Sequence, residues 1–176
     1  ISKLFYERFI TDGEISLFSP HDVPGLYDSF GTDRFDDLYV GFERDESVPR
    51  KTIGAQELIL NILKERAETG RLYLMNIDHC NSHSSFKDKV NMSNLCQEIT
   101  LPTDPISHID DELGEIALCI LSAVNVGKIR SDEELEDLCD LSVRGLEELI
   151  DYQEYPVAAA ERATKARRSL GVGFIG

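Results

Sequence analysis

Hydrophobic positions along the chain predict helices first and a mixture of strands and helices later. Leu4, Phe5, Phe9 and Ile10 fall at helical spacing and predict an opening helix that ends near Asp12 and Gly13. Pro20 and Pro24 restrict the backbone from Ser19 to Gly25, which predicts an ordered loop. A longer helix is predicted from Ile53 to Thr69. Thr52 is its candidate N-cap, Leu58, Ile59, Ile62 and Leu63 form its buried face, and Gly70 follows its last turn. Arg71 to Ile77 is a strand candidate.

From Cys80 to about Asp110 the chain is polar and interrupted by proline, a length of irregular structure that compact domains usually keep for function. Glu115 to Leu121 is an apolar run of the length of a buried strand. Ser131 followed by Glu134 reads as a capping box, opening an amphipathic helix through Leu135, Leu138, Cys139, Val143, Leu146 and Ile150. A further helix is predicted from Pro156 to Arg168, and Ser169 to Ile175 reads as the start of a strand. Stopping at Gly176 would leave that strand with an unpaired edge, so the sequence is expected to be a cut piece rather than a complete domain. The fold class is α/β, with a mainly helical part over 1–70 and strands, a loop and packing helices over 71–176, together one incomplete domain.

Composition narrows the function classes. No apolar run approaches the roughly 20 residues of a membrane span, and no basic-then-apolar leader opens the chain, so a cytoplasmic protein is the simplest expectation. The net charge of −15, from 33 acidic and 18 basic residues, repels a phosphate backbone, and the one basic cluster, Lys165, Arg167 and Arg168, is too short to override it. The cysteines at 80, 96, 119 and 139 show neither paired metal-ligand spacing nor the density of a disulfide-stapled domain.

Candidate chemistry concentrates in Ser93-Asn94-Leu95-Cys96-Gln97-Glu98-Ile99. If the segment is extended, its period of two puts Asn94, Cys96 and Glu98 on one side, so that an amide, a thiol and a carboxylate converge. Such a trio suits chemistry on a hydroxylated substrate: the thiol reacts, the carboxylate removes a proton and the amide orients a hydroxyl. The same spacing also fits an ordinary polar loop with an incidental cysteine.

Cys139 lies on an apolar helical stripe and is expected to pack as a small hydrophobe. Asp78, His79, Cys80 and His83 sit close in sequence, but a second ligand pair is missing, and no metal site is expected. Gly171-Val172-Gly173-Phe174-Ile175-Gly176 matches a dinucleotide fingerprint only formally, because a helix rather than a strand is predicted before it. His21 and His108 are expected as loop histidines.

The active-loop segment, continued by Leu101-Pro102-Thr103, resembles the active-site loop of ribonucleotide reductase large subunits. Further segments resemble the same family in the same order: Ser16 to Tyr27, Asn76-x-Asp78-His79-Cys80-Asn81, Gly114 to Cys119 with Leu121-Ser122-Ala123-x-Asn125, and Asp151-Tyr152-Gln153-x-Tyr155-Pro156. The resemblance, of class I type, implies part of a ten-stranded α/β barrel with helices preceding barrel strands and a finger loop carrying the site. It implies that Cys96 carries a transient thiyl radical that abstracts the ribose 3′ hydrogen, that Glu98 is the base on the 3′-hydroxyl, and that Asn94 hydrogen-bonds the ribose hydroxyls. Cys119 would be one of two thiols that supply reducing equivalents as the 2′-hydroxyl leaves as water.

The family also implies parts that this sequence lacks: the second redox cysteine, the effector-binding cone, the specificity loop, the radical-relay tyrosines and a C-terminal cysteine pair. Alone, the segment is therefore expected to be inactive. The implied partners are a ribonucleotide substrate, a small subunit whose metallocofactor generates the radical, thioredoxin or glutaredoxin, and complementary large-subunit segments. ATP or deoxynucleotide effectors and nucleotide-bound magnesium are implied for the whole enzyme, with no cofactor or metal held by this segment. Two alternatives stay open: a noncatalytic assembly module or split-gene piece, and the adenosylcobalamin-dependent reductase class, which shares the Asn-x-Cys-x-Glu pattern.

Overall fold

The opening helix forms as predicted, with Phe5 buried and Leu4 half-buried while Phe9 and Ile10 are exposed. In the computed structural model, which describes residues 1–176, α1 spans Lys3–Ile10 and Ser2 caps it by accepting a hydrogen bond from the Phe5 N–H. The chain then divides into two units, residues 1–102 and 103–176. The first continues with β1 (Glu14–Phe18), α2 (Leu26–Ser29), α3 (Arg34–Arg44), β2 (Arg50–Gly54), α4 (Ala55–Thr69) and α5 (Ile77–Ser82).

Strands β1 and β2 pair antiparallel, from Glu14 opposite Gly54 to Phe18 opposite Arg50. This pairing corrects the predicted start of the long helix. Thr52 sits opposite Ser16 as a strand residue, so α4 begins at Ala55 with Gly54 at its cap. A ladder partner distant in sequence has outweighed the local capping preference of threonine. The other end is as predicted: Gly70 takes the left-handed conformation at φ 67° and its N–H donates to the Arg66 carbonyl at 2.9 Å. The predicted buried face of α4 is only partly covered, with Leu58, Ile59 and Ile62 half-buried and Leu63 exposed.

Two apolar clusters hold this unit. Phe5, Ile15 and Ala55 form one, and Val23, Leu26, Phe35 and Tyr39 form the other, with Phe18, Phe30 and Phe42 packed against it. Burying each large side chain of these clusters contributes about 1.5–3 kcal/mol. The Tyr39 hydroxyl, itself buried, donates to the Ser16 carbonyl at 2.6 Å and accepts from the Ser16 N–H at 2.8 Å, tying α3 to β1. Burial alone would push the Glu43 carboxyl up, but its paired bonds from Arg8 hold it below the ordinary range.

Arg71 to Asn76, predicted as part of a strand, forms none, and Ile77 opens α5 instead. No other strand runs beside the segment to form a ladder, although the Ile77 N–H does donate to the Ile1 carbonyl at 3.2 Å.

The second unit contains β3 (Ile120–Asn125), a short 3-10 turn at Val126–Lys128, α6 (Asp132–Tyr152), α7 (Ala158–Arg167) and β4 (Leu170–Ile175). Strands β3 and β4 are parallel, from Ile120 opposite Leu170 to Asn125 opposite Ile175, with the two helices making the crossover. The strand expected over Glu115 to Leu121 is thus displaced toward the C-terminus. Its first residues make a single bridge, Glu115 to Asp104, because β4 offers partners only from Leu170 onward. The terminal glycine cluster lies within β4, where a Cβ at Gly171 would meet the Leu121 side chain at 2.9 Å.

Ser131 caps α6 by accepting from the Glu134 N–H at 3.2 Å, while Glu134 reaches back to the Arg130 N–H at 2.8 Å. Leu146 and Ile150 are the buried residues of the predicted stripe. Leu135 and Cys139 are half-buried, and Leu138 and Val143 are exposed. Helix α7 ends on Arg168 in the left-handed conformation, its guanidinium bound to Glu147 and Asp151 of α6. Lys165 and Arg167 are paired too, with Glu161 at 2.7 Å and Glu115 at 2.6 Å, so the basic cluster is neutralised within the chain.

Buried Asp111 organises the segment that leads into β3. It accepts from the Ser107 N–H and hydroxyl at 2.8 and 2.6 Å and from the Leu113 and Gly114 N–H groups at 2.7 and 2.8 Å. These bonds, those of Ser107 foremost, hold its carboxyl far below the usual carboxylate range. A depressed folded-state value means that the contribution is complete above the unfolded value of about 3.9 and is lost as pH falls toward the folded one. Asp111→Ala should therefore flatten the dependence of stability on pH below about pH 4. Acid titration followed by circular dichroism checks this, and an unchanged slope would contradict it.

Candidate functional site

The segment from Ser93 to Ile99 is not an extended strand. It closes on itself: the Asn94 N–H donates to the Ile99 carbonyl at 3.2 Å, and the Asn94 carbonyl accepts from the Gln97 N–H at 3.2 Å. The Asn94 side-chain oxygen accepts from the Ile99 N–H at 3.0 Å. Gln97 turns the chain with φ 65°. A short polar side chain that bonds backbone a few residues on favours turns over strands, which is why the period-of-two reading fails here.

Leu95 and Cys96 consequently stand at the tip of a finger-like turn, with Leu95 84% exposed and Cys96 also exposed. Asn94, Cys96 and Glu98 remain together on one short loop and all three lie toward solvent, but they are gathered by a turn rather than by strand alternation. The oxygen of the Asn94 amide is engaged in closing the loop, and its NH₂ group makes no bond within the chain, so it can donate to an incoming hydroxyl. Glu98, next but one to Cys96 and also exposed, is an acceptor, so the loop carries a donor for a hydroxyl, a group to receive a proton and a sulfur that can react.

The sequence pattern does not single out Gln97, whose left-handed backbone makes the turn. The available signal is Asn94 itself, an amide placed to bond backbone ahead of it. Asn94→Ala should loosen the loop by about 1 kcal/mol through the lost bond to Ile99. Faster amide exchange at Ile99, with protection retained in Asn94→Asp, is the expected readout.

A cleft of about 390 Å³ is lined by His79 and Cys80 of α5, by His83 just past its end, and by Ser93, Gln97 and Thr100. None of Asn94, Cys96 and Glu98 lines it. The His79 and His83 rings meet edge to face at 5.8 Å, and His83 Nδ1 shares hydrogen bonds with the Ser82 hydroxyl and the His79 carbonyl. No group of three His, Cys, Asp or Glu side chains is arranged to hold a metal ion.

Cys119 belongs to the second unit. It is half-buried at the entry to β3, its thiol donates to the Ile120 carbonyl at 3.9 Å, and Gly171 leaves space beside its sulfur. Cys139 is half-buried along the α6 stripe. No helix is long and apolar enough to cross a membrane.

Residues 1–176 match the family model described as ribonucleotide reductase, barrel domain. A ribonucleoside-diphosphate reductase subunit alpha from Haemophilus influenzae is 54% identical across 99% of the chain. The ribonucleoside-diphosphate reductase 1 subunit alpha of Escherichia coli is 51% identical across 99%, and the subunit alpha of Enterobacteria phage T4 is 40% identical across 98%. The chain spans about a quarter of the length of these relatives, 24% in each case.

Proposed function

Because this chain belongs to the ribonucleotide reductase barrel-domain family, we propose that it is part of a catalytic subunit that reduces ribonucleotides to 2′-deoxyribonucleotides. The observation that supports the reading is the self-closed turn that leaves Cys96 exposed on one short loop with Asn94 and Glu98, both also exposed. Diphosphates are the proposed substrates, after the names of the relatives.

Cys96, as a thiyl radical, removes the ribose 3′ hydrogen, while Glu98 accepts the proton of the 3′-hydroxyl and the Asn94 NH₂ holds a ribose hydroxyl. Loss of the 2′-hydroxyl as water is matched by oxidation of two thiols to a disulfide, one of them Cys119, and return of the 3′ hydrogen regenerates the Cys96 radical. Substrate and two thiols on one side, product, disulfide and water on the other, then balance in atoms and electrons.

The radical comes from a metallocofactor on a small subunit, in keeping with relatives named as alpha subunits. Thioredoxin or glutaredoxin re-reduces the disulfide, ATP and deoxynucleotides are effectors, and the enzyme works in the cytoplasm. Both units described above belong to one catalytic domain, which needs the remaining large-subunit segments for turnover. Reconstitution of the full-length subunit with its small subunit tests the reading, and the Cys96→Ser variant is decisive.

A further inference from the structure

The Cys96 loop closes its own tip, but its position depends on where the chain enters it. The chain enters through Val90, which is completely buried. Both polar backbone groups of Val90 are held by one side chain: Asn81 Nδ2 donates to the Val90 carbonyl at 3.0 Å, and Asn81 Oδ1 accepts from the Val90 N–H at 2.9 Å. The same Nδ2 donates to the Ile77 carbonyl at 3.0 Å, fixing the amide to its own helix. An amide used in this way substitutes for a neighbouring strand.

A second element backs the grip. Gly31, with φ 80°, approaches so closely that a Cβ there would lie 2.8 Å from Asn81 Nδ2 and 2.6 Å from Ile77 Cγ1. Only glycine suits both that conformation and that space. Lys89 Nζ donates to the Asp28 carbonyl at 2.7 Å, adding a tie to the same region.

We propose that Asn81 is a positioning residue for catalysis: braced by Gly31, it pins the chain at Val90 and so sets where the Cys96 turn stands. The proposal rests on the catalytic reading of that turn. Displacing a reacting group by about 1 Å is enough to cost roughly 10²-fold in rate.

The test uses the full-length large subunit assembled with its small subunit, comparing Asn81→Ala, Asn81→Asp and Cys96→Ser with the parent. Asn81→Asp keeps the side-chain size and the acceptor for Val90, but sets an oxygen against the Val90 and Ile77 carbonyls. Both Asn81 variants should lose about 10- to 100-fold in kcat with KM nearly unchanged. Both should also show a larger isotope effect on kcat with 3′-deuterated substrate, because hydrogen abstraction becomes the slow step.

A lower Tm with kcat per folded enzyme and isotope effect unchanged would overturn the proposal, as would failure of both variants to fold. If Asn81→Ala alone fails to fold, the kcat and isotope effect of Asn81→Asp decide the matter. Normal turnover by an Asn81 variant beside an inactive Cys96→Ser removes the positioning role alone, whereas turnover by Cys96→Ser removes the catalytic reading itself.

Discussion

Cys96→Ser in the full-length enzyme should reduce deoxynucleotide formation by ~10³-fold or more, to the floor of the assay, while leaving nucleotide binding nearly intact. The substitution is close to isosteric and falls on an exposed tip, and the bonds that close the turn are made by Asn94, Gln97 and Ile99. Loop geometry is therefore preserved and only the chemistry changes. An O–H bond is stronger than an S–H bond, so a serine hydroxyl does not become the radical that a thiol becomes under the same oxidant. Product formation measured beside equilibrium nucleotide binding separates the two effects. Turnover at the parent rate would end the assignment of Cys96.

Glu98→Gln should lower kcat by about 10²–10⁴-fold, the usual contribution of a positioned general base, with little change in KM. Glu98 lies toward solvent and forms no hydrogen bond or ion pair within the chain, so exchanging carboxylate for amide leaves no buried partner stranded. On the proposed mechanism, what disappears is the ability to accept the 3′-hydroxyl proton. A rise in KM with kcat preserved would instead assign Glu98 to binding alone.

Elements dictated by neighbouring residues are legible in the sequence, and those dictated by distant ones are not. Ser131 and Glu134 signal the start of α6, and Gly70 the end of α4, because caps are local chemistry. Thr52 satisfies the same local rule for an N-cap, yet its opposite number is Ser16, and no nearby residue announces that pairing. Glu115 to Leu121 has the composition of a strand, but its usable register is set by Leu170 onward.

The candidate site divides in the same way. Residue types and order identify Asn94, Cys96 and Glu98, whereas the path of the chain through them does not follow from their spacing. Alternation assigns the Asn94 amide to substrate alone, and its bond to the Ile99 N–H turns the expected strand into a loop. Asn81 lies inside a segment marked by resemblance and by its neighbours' metal-ligand types, and neither signal points to Asn81 itself. Its grip on Val90 requires two stretches of chain to meet, which periodicity does not reveal.

The Asn94 closure also bears on the thermodynamics of substrate capture. Fixing a backbone residue costs about 1–2 kcal/mol of conformational entropy, and a loop that ordered only on contact would withdraw that amount for each residue from the affinity. In this chain Asn94 takes part in all three closing bonds, so the loop's closure draws on its own atoms and asks for no contact with a nucleotide. In the proposed enzyme, binding interactions with the nucleotide are then left to orient the ribose against the thiol, and the heat capacity change of binding should carry no signature of loop folding.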